Sequence, residues 1–229
     1  LGELVIEPTA YTRSIGPVVI DEARFDRSLI TRTATAMPDA RADEEALRFL
    51  KRCMEEKDSA GGSIEIVIRG VPAGIGDPVF DKLDARFAGA LLSIGAVKAV
   101  EIGDGTLAAG LKGSENNDPF GCESGSGRIL PLSNHAGGIL GGISTGANIR
   151  IRCAVKPTPS IFREQQTVDA NGQERRLTIR GRHDPVIVPR AVVVAEAMCA
   201  LTLLDAMLCN MTAMTRRLFV CMEFMKKYT

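Results

Sequence analysis

Hydrophobic residues recur at helical spacing early in the chain and at alternate positions soon afterwards. Residues 44–56 predict an amphipathic helix whose apolar face comprises Ala46, Leu47, Leu50, Cys53 and Met54. Residues 63–69 read Ser-Ile-Glu-Ile-Val-Ile-Arg and predict a strand. The two segments together indicate a domain that mixes helix and sheet.

A second helix and a second strand are predicted between residues 77 and 103. Asp77 is a suitable N-cap and Pro78 suits the first helical position, so the pattern predicts a helix that begins there. Its inner face would comprise Phe80, Leu83, Phe87 and Leu91. Residues 97–103 predict a strand, and residues 103–146 are mostly glycine, polar residues and loop. This mixture favours an α/β layered domain.

Strict alternation predicts a strand with one buried face in residues 149–155. Four apolar side chains alternate there with basic ones, and they are Ile149, Ile151, Cys153 and Val155. The strand runs into Lys-Pro-Thr-Pro-Ser at residues 156–160, where a lysine and two hydroxyls could bind an anion. The alternative is a solvated strand end followed by a rigid turn.

Residues 191–209 form a long apolar segment. Glu196 and Asp205 lie inside it, and an acidic side chain is costly near the middle of a bilayer. We therefore interpret the segment as a buried core helix rather than a membrane span. The methionines around and after it suit flexible packing or a subunit interface.

Charge and cysteine content argue against several classes of protein. The chain has 229 residues, with 28 Lys and Arg against 28 Asp and Glu, so its net charge is zero. Surfaces that bind nucleic acid or an anionic membrane carry a basic excess, and we expect neither partner. The six cysteines include no Cys-x-x-Cys pair, which predicts reduced thiols and a cytoplasmic location. The two histidines, His135 and His183, lie far apart in sequence, so we expect no metal site.

Two further segments are candidates for the chemistry. Residues 133–149 contain five glycines, which predicts that something packs closely against their backbone. Residues 181–191 place Arg182, His183 and Asp184 in a row before a proline. This Arg-His-Asp-Pro sequence could form a capped turn. Alternatively, the arginine beside the aspartate could orient a substrate. The glycines of residues 103–110 do not fit the dinucleotide-binding or P-loop spacing.

Five phrases in a fixed order resemble the chorismate synthase family. They are GVPAGIGDPVFDKLDA, SIGAVKAVEIG, SNHAGGILGGISTG, KPTPSI, and GRHDP followed by PRA and EAM. The resemblance covers residues 60 to 210, approximately, and is weak over the first 40 residues and nearly absent over the last 20. It implies that residues 1–229 are the carboxyl-terminal part of a single α+β domain. That fold is a β-α-β sandwich with core helices between antiparallel sheets, here incomplete.

The resemblance implies a lyase of aromatic amino-acid biosynthesis. The family converts the small molecule 5-enolpyruvylshikimate 3-phosphate to chorismate by eliminating phosphate and a proton, and it needs reduced FMN. It also implies a homo-oligomer, usually a tetramer. The family's Gly-Glu-Ser-His-Gly motif, a second catalytic histidine and several arginines have no match here. The alternative is a catalytically incomplete fragment that binds flavin or phosphate and assembles, and we expect this chain alone to be inactive.

Carried over position by position, the resemblance assigns flavin contacts and one catalytic role. The contacts fall on Gly95, Ala96, Asn134, Gly141, Lys156, Pro157, Thr158, Pro159, Ser160 and Arg182. Asp184 matches an aspartate thought to transfer a proton near the flavin. Gly95 stands where the family usually has a larger residue, which removes a side-chain contact. We interpret His183 and His135 as structural.

Overall fold

The structure, a computed structural model, describes residues 6–122, 129–181 and 183–213. Its helices are α1 (Ala40–Glu55), α2 (Leu83–Leu92), α3 (Gly113–Asn116) and α4 (Val188–Ala213). Its strands are β1 (Glu7–Ile15), β2 (Val18–Val19), β3 (Gly62–Arg69), β4 (Val97–Ile102), β5 (Phe120–Cys122), β6 (Ile129–Pro131), β7 (Ile139–Leu140), β8 (Ile143–Ser144), β9 (Ile149–Val155), β10 (Gln165–Val168) and β11 (Glu174–Leu177). Residues 103–146 therefore hold several short elements rather than plain loop.

One antiparallel sheet of five strands organises the fold, in the order β2-β1-β3-β9-β4. Apolar side chains at alternate positions of β3 and β9 form its buried face, which α2 and α4 cover. The remaining strands form three hairpins, β5–β6, β7–β8 and β10–β11. The α+β class is confirmed, and a second sheet of similar size is absent from the described residues.

Helix α1 packs on the other side of β1, in a second and smaller core. Asp39 caps it by accepting hydrogen bonds from two backbone N–H groups of the first turn, at 3.0 and 3.2 Å. The helix therefore begins at Ala40 rather than Glu44. Leu47 and Met54, predicted on the inner face, are exposed, whereas the buried positions include Ala46, Leu50 and Cys53.

The second helix begins later than the sequence predicts. Asp77 lies in a tight turn, in which the backbone N–H groups of Asp77 and Asp81 each donate to the other's carbonyl, at 3.3 and 3.0 Å. Because this pairing reverses the chain, α2 starts only at Leu83 and Asp77 is not its cap. Phe80 is 94% exposed in the turn, so its predicted place on the inner face is wrong. The rest of that face is buried as predicted, at Leu83, Phe87 and Leu91.

Helix α4 lies across β1, β3 and α2 with one face buried. Both acids of its apolar segment have partners: Glu196 accepts from the backbone N–H of Ala10 at 2.7 Å, and Asp205 pairs with Arg86. Residues Val188–Thr212 are long and apolar enough to cross a membrane, by length and composition alone. The predicted core helix is confirmed for one face and wrong for the other, which exposes Val193, Val194, Leu201, Leu204, Leu208 and Met211.

The described cysteines agree with the prediction of reduced thiols. Cys53, Cys153, Cys199 and Cys209 are free. Burial raises the pKa of Cys153 to about 12, so this thiol stays protonated and inert near neutral pH.

Candidate functional site

Several of the predicted contact residues meet where strand β9 ends. Gly95 and Ala96 precede β4, and Lys156 follows β9. Because β4 and β9 are neighbours in the sheet, the backbone N–H of Lys156 donates to the carbonyl of Ala96 at 2.9 Å. The Lys156 side chain is exposed. The structure thus places residues 95–96 beside residues 156–160.

The backbone before β4 combines strain with open space. Ala96 has φ of +73°, a left-handed conformation that is costly for a residue with a Cβ. A Cβ added at Gly95 would meet no atom within 4 Å. A side chain could therefore begin at this position without a clash at its Cβ. Strain of this kind clusters at ligand sites, and it marks this turn as a candidate.

Two consecutive residues after α1 hold the other segments of the site together. The hydroxyl of Ser59 donates to the carbonyl of Thr158 at 2.6 Å. The backbone N–H of Ala60 donates to the carbonyl of Pro185 at 2.7 Å. The segment 156–160 and the segment 183–185 are therefore neighbours, although 22 residues separate them in sequence.

Two buried polar atoms in this region have no hydrogen-bond partner among the residues that the structure describes. They are the hydroxyl oxygen of Thr158 and Nε2 of His183. The His183 ring packs edge-on against Phe162, with centroids 5.3 Å apart, and lines a cavity of about 120 Å³ that also borders Ser160 and Asp184. Nearly all buried polar groups in native proteins are paired. These two atoms therefore favour a ligand that supplies a donor and an acceptor at this site.

Asp184 is held in place from the first turn of α4. Arg190 donates through Nη1 to Oδ2 of Asp184 at 2.5 Å, and both side chains reach solvent. The second carboxylate oxygen remains able to accept a proton or a hydrogen bond. Arg182, the predicted contact beside it, lies outside the described residues.

Asn134 and Gly141 lie at the opposite end of β9. The side-chain amide of Asn134 donates to the carbonyl of Asn148, just before β9, at 2.8 Å. It also accepts from the N–H of Gly138 at 2.7 Å, and Gly141 turns the β7–β8 hairpin that follows. The seven residues of β9 span about 20 Å. Within one chain the structure therefore does not bring these two residues together with residues 156–160.

Packing inside the chain accounts for three of the five clustered glycines, including Gly142, where a Cβ would lie 2.6 Å from Cγ of Lys82. A Cβ on Gly137 would lie 2.2 Å from the backbone nitrogen of Gly103, and one on Gly138 would lie 2.6 Å from the carbonyl oxygen of Asn148. Both glycines also have positive φ, at +64° and +79°. The close approach that the sequence predicts is therefore made by neighbouring backbone at these positions. Gly141 differs, since a Cβ there would meet nothing within 4 Å.

Two aspartates fix the start of the glycine segment. Asp118 accepts from the backbone N–H groups of His135 and Ala136, at 2.8 and 2.9 Å, and from the hydroxyl of Ser133 at 2.6 Å. Nδ1 of His135 bonds to Asp104 at 2.7 Å, and this hydrogen bond raises the pKa of His135. These contacts agree with a structural role for His135.

Comparison with known proteins identifies the family. A family model for chorismate synthase matches residues 1–208. The chain belongs to the chorismate synthase family. A chorismate synthase from Lachnoclostridium phytofermentans is 54% identical over 93% of this chain and 58% of its own length. One from Agathobacter rectalis is 48% identical over 99% of this chain and 60% of its own length.

A solved structure agrees with this assignment. A crystal structure of chorismate synthase has a TM-score of 0.75 and 31% sequence identity, over 92% of this chain and 60% of that one. The resemblance inferred from the five phrases is thereby confirmed. The chain spans about 60% of the length of the curated chorismate synthases it matches.

Sequence reasoning missed two residues of this site and set a third aside. Ser59 and Arg190 fix the segments that carry Thr158 and Asp184, but a serine after a helix and an arginine in a helix carry no signal of their own. The sequence predicts a structural role for His183, and its buried Nε2, unpaired among the described residues, adds it to the candidates. Its place directly before Asp184 was the signal that could have found it.

Proposed function

We propose that this chain forms part of a chorismate synthase, a lyase of the shikimate pathway. The reaction would convert 5-enolpyruvylshikimate 3-phosphate to chorismate and phosphate by anti-1,4-elimination. Family membership supports this proposal. The observation that carries it for the described residues is the pair of buried, unpaired atoms on Thr158 and His183, in two segments that Ser59 and Ala60 hold together. The donor and acceptor types suit a ligand with a charged phosphate and a polar ring.

Reduced FMN is the cofactor that the family implies, and the residues at the end of β9 fit it. The ammonium of Lys156 and the hydroxyls of Thr158 and Ser160 would hold its phosphate, with Pro157 and Pro159 fixing the backbone. The turn at Gly95 and Ala96, exposed at Gly95, would leave room for a flat ring. When bound, the flavin would lend electron density transiently as phosphate leaves.

Asp184 would take up or hold the substrate proton. Arg190 fixes one of its oxygens, Oδ2, which leaves Oδ1 as the proton acceptor. The adjacent His183 would bind the ligand through its unpaired Nε2. In this proposal the proton and the phosphate are handled by neighbouring segments that residues 59 and 60 hold together.

The test compares Asp184→Asn with Asp205→Asn, which changes a second aspartate that is paired to an arginine, Arg86 of α2. Both variants are made in a hybrid in which this chain replaces the matching segment of the Lachnoclostridium relative. The amide keeps the shape of Asp184 and removes its basicity, so kcat should fall by ~10²–10⁴ while FMN affinity is retained. Asp205→Asn should keep normal turnover. A hybrid with Asp184→Asn and near-normal turnover would remove Asp184 from the mechanism.

We also propose that the protein works as a cytoplasmic homo-oligomer, with a tetramer as the family's usual form. The free thiols support the compartment, since they suit a reducing environment. The exposed apolar side chains of α4 support association, because large apolar patches usually mark interaction surfaces.

A further inference from the structure

The face of the sheet opposite α2 and α4 is polar along β3 and β9. Glu65 of β3 is 2% exposed on this face. It accepts from Nη1 of Arg13 at 2.6 Å and from Nη2 of Arg150 at 2.9 Å. Burial alone raises the pKa of Glu65, but the two arginines outweigh it and lower the pKa from its ordinary value. The carboxylate therefore stays charged and neutralises part of the two guanidinium groups.

A cleft of about 400 Å³ lies over this face. One wall is aromatic, since the rings of Tyr11 and Phe25 meet edge-on with centroids 5.1 Å apart. Val67 continues the apolar surface on the floor, and Arg69 and Arg150 stand beside it. The cleft shares no residue with the segments 95–96, 156–160 and 183–185. It is therefore a separate candidate site.

The two arginines of the cleft have donors to spare. Glu65 and Glu22 approach only Nη2 of Arg150, which leaves its Nη1 and Nε. Arg69 forms no ion pair with any residue that the structure describes. Val67 of β3 is the register partner of Arg150 of β9, so Arg69 is the diagonal neighbour of Arg150. Diagonal neighbours lie about 7–8 Å apart, a distance that two arginine side chains can bridge. Both guanidinium groups can converge on one anion.

A buried side-chain nitrogen on the same face of the sheet also lacks a partner among the described residues. Arg152 lies two residues beyond Arg150 and is the register partner of Glu65. Its Nε is buried without an acceptor among the described residues, and its Nη1 lies 3.5 Å from Glu101. A buried donor without an acceptor is costly. Arg152 does not line the cleft, so this unpaired donor characterises the polar face of the sheet rather than the cleft itself.

We propose that this cleft binds a small carboxylate that carries a flat ring. The carboxylate would accept from Arg69 and Arg150, whose planar groups suit two-point recognition. The ring would pack against Tyr11, Phe25 and Val67. A cleft of this size accommodates a molecule of one or two rings. Arg13 pairs with both glutamates of the cleft, Glu22 and Glu65, which leaves donors of Arg69 and Arg150 available to an anion.

Calorimetric titration of the 229-residue chain with benzoate tests the proposal. Saturable binding is expected, weakened at least tenfold, approximately, by Arg69→Gln, a change that breaks no ion pair among the described residues. Arg175→Gln, on the β10–β11 hairpin, is the matched control and should leave the affinity unchanged. Phe25→Ala should weaken benzoate but not inorganic phosphate.

Three results would overturn the proposal. They are an absence of saturable benzoate binding, equal benzoate affinity in the wild type and Arg69→Gln, and inorganic phosphate binding as tightly as benzoate. The last result would show that the ring contributes nothing. Circular dichroism melting of each variant would establish that it is folded before titration.

Discussion

Removing the charge of Glu65 should destabilise the chain more than the loss of an ordinary surface ion pair. Glu65→Gln keeps the shape of the side chain but replaces one accepting oxygen by an N–H₂ donor. That donor must face Arg13 or Arg150, which are themselves donors. The variant therefore loses a charge-assisted hydrogen bond and leaves a partly buried positive charge without its partner.

The size of the effect follows from burial. Breaking a fully buried pair costs about 3–5 kcal/mol. Here the carboxylate is 2% exposed, but Arg13 and Arg150 are 20% and 42% exposed and can recover water. We therefore expect the free energy of unfolding to fall by roughly 2–3 kcal/mol. Glu45→Gln is the matched control, because its pair with Arg41 on α1 is exposed and contributes at most ~0.5 kcal/mol.

Urea denaturation at two pH values measures both the effect and its cause. The folded-state pKa of Glu65 is lowered from 4.5, so its charge stabilises the fold above that pH and the stabilisation is lost as the pH falls through the folded-state pKa. The gap between wild type and Glu65→Gln should therefore be full at neutral pH and should shrink in acid. A gap no larger than that of Glu45→Gln, or one that does not change with pH, would refute the reasoning.

Two further predictions concern the glycine segment and α4. Asp104 raises the folded-state pKa of His135, so their ion pair stabilises the fold below about pH 6.5 and is lost as the pH rises through the folded-state pKa. His135→Gln should remove this pH dependence from the urea unfolding midpoints. A midpoint profile identical to that of the wild type would contradict this prediction. Sedimentation of the 229-residue chain at micromolar concentration should show self-association that Leu201→Glu together with Leu208→Glu reduces, with Met54→Glu as the exposed control on α1. A wild-type chain that sediments as a monomer would contradict the second prediction.

Local pattern predicted the strands and much of the packing. The alternation of apolar and basic residues along 149–155 predicts which side chains are buried. The structure buries Ile149, Ile151, Cys153 and Val155 as predicted. The same holds for the helical spacing of Leu83, Phe87 and Leu91. In both cases a single face packs on one layer, so sequence period and burial coincide.

Features that depend on distant parts of the chain were not predictable in this way. Asp77 has the chemistry of a helix cap, but pairing with Asp81 uses its backbone in a turn instead. The exposed side of α4 could not be predicted either, because an apolar residue carries no information about which element covers it. Likewise, Asn134 and Lys156 are separated because they lie at opposite ends of β9, and no sequence motif shows which end of a strand a loop contacts.

The candidate site was found by resemblance rather than by residue chemistry alone. The lysine and hydroxyl side chains at 156–160 indicate only that an anion could bind there. The prediction of a flavin comes from the five motifs that resemble chorismate synthase. What the structure adds is proximity: Ala96 bonds to Lys156, and Ser59 bonds to Thr158. The unpaired Nε2 of His183 could be recognised only once its burial was known.

The claim that residues 156–160 bind the phosphate of FMN is tested most directly by comparing two flavins. In the hybrid with the Lachnoclostridium relative, Lys156→Ala should weaken FMN binding by roughly 1.5–3 kcal/mol, a factor of about 10–150, because it removes a charge-assisted contact. Riboflavin lacks the phosphate and should bind the wild type and the variant alike. Lys51→Ala on α1 is the control and should change neither affinity. Equal FMN affinity in the wild type and Lys156→Ala would contradict the account.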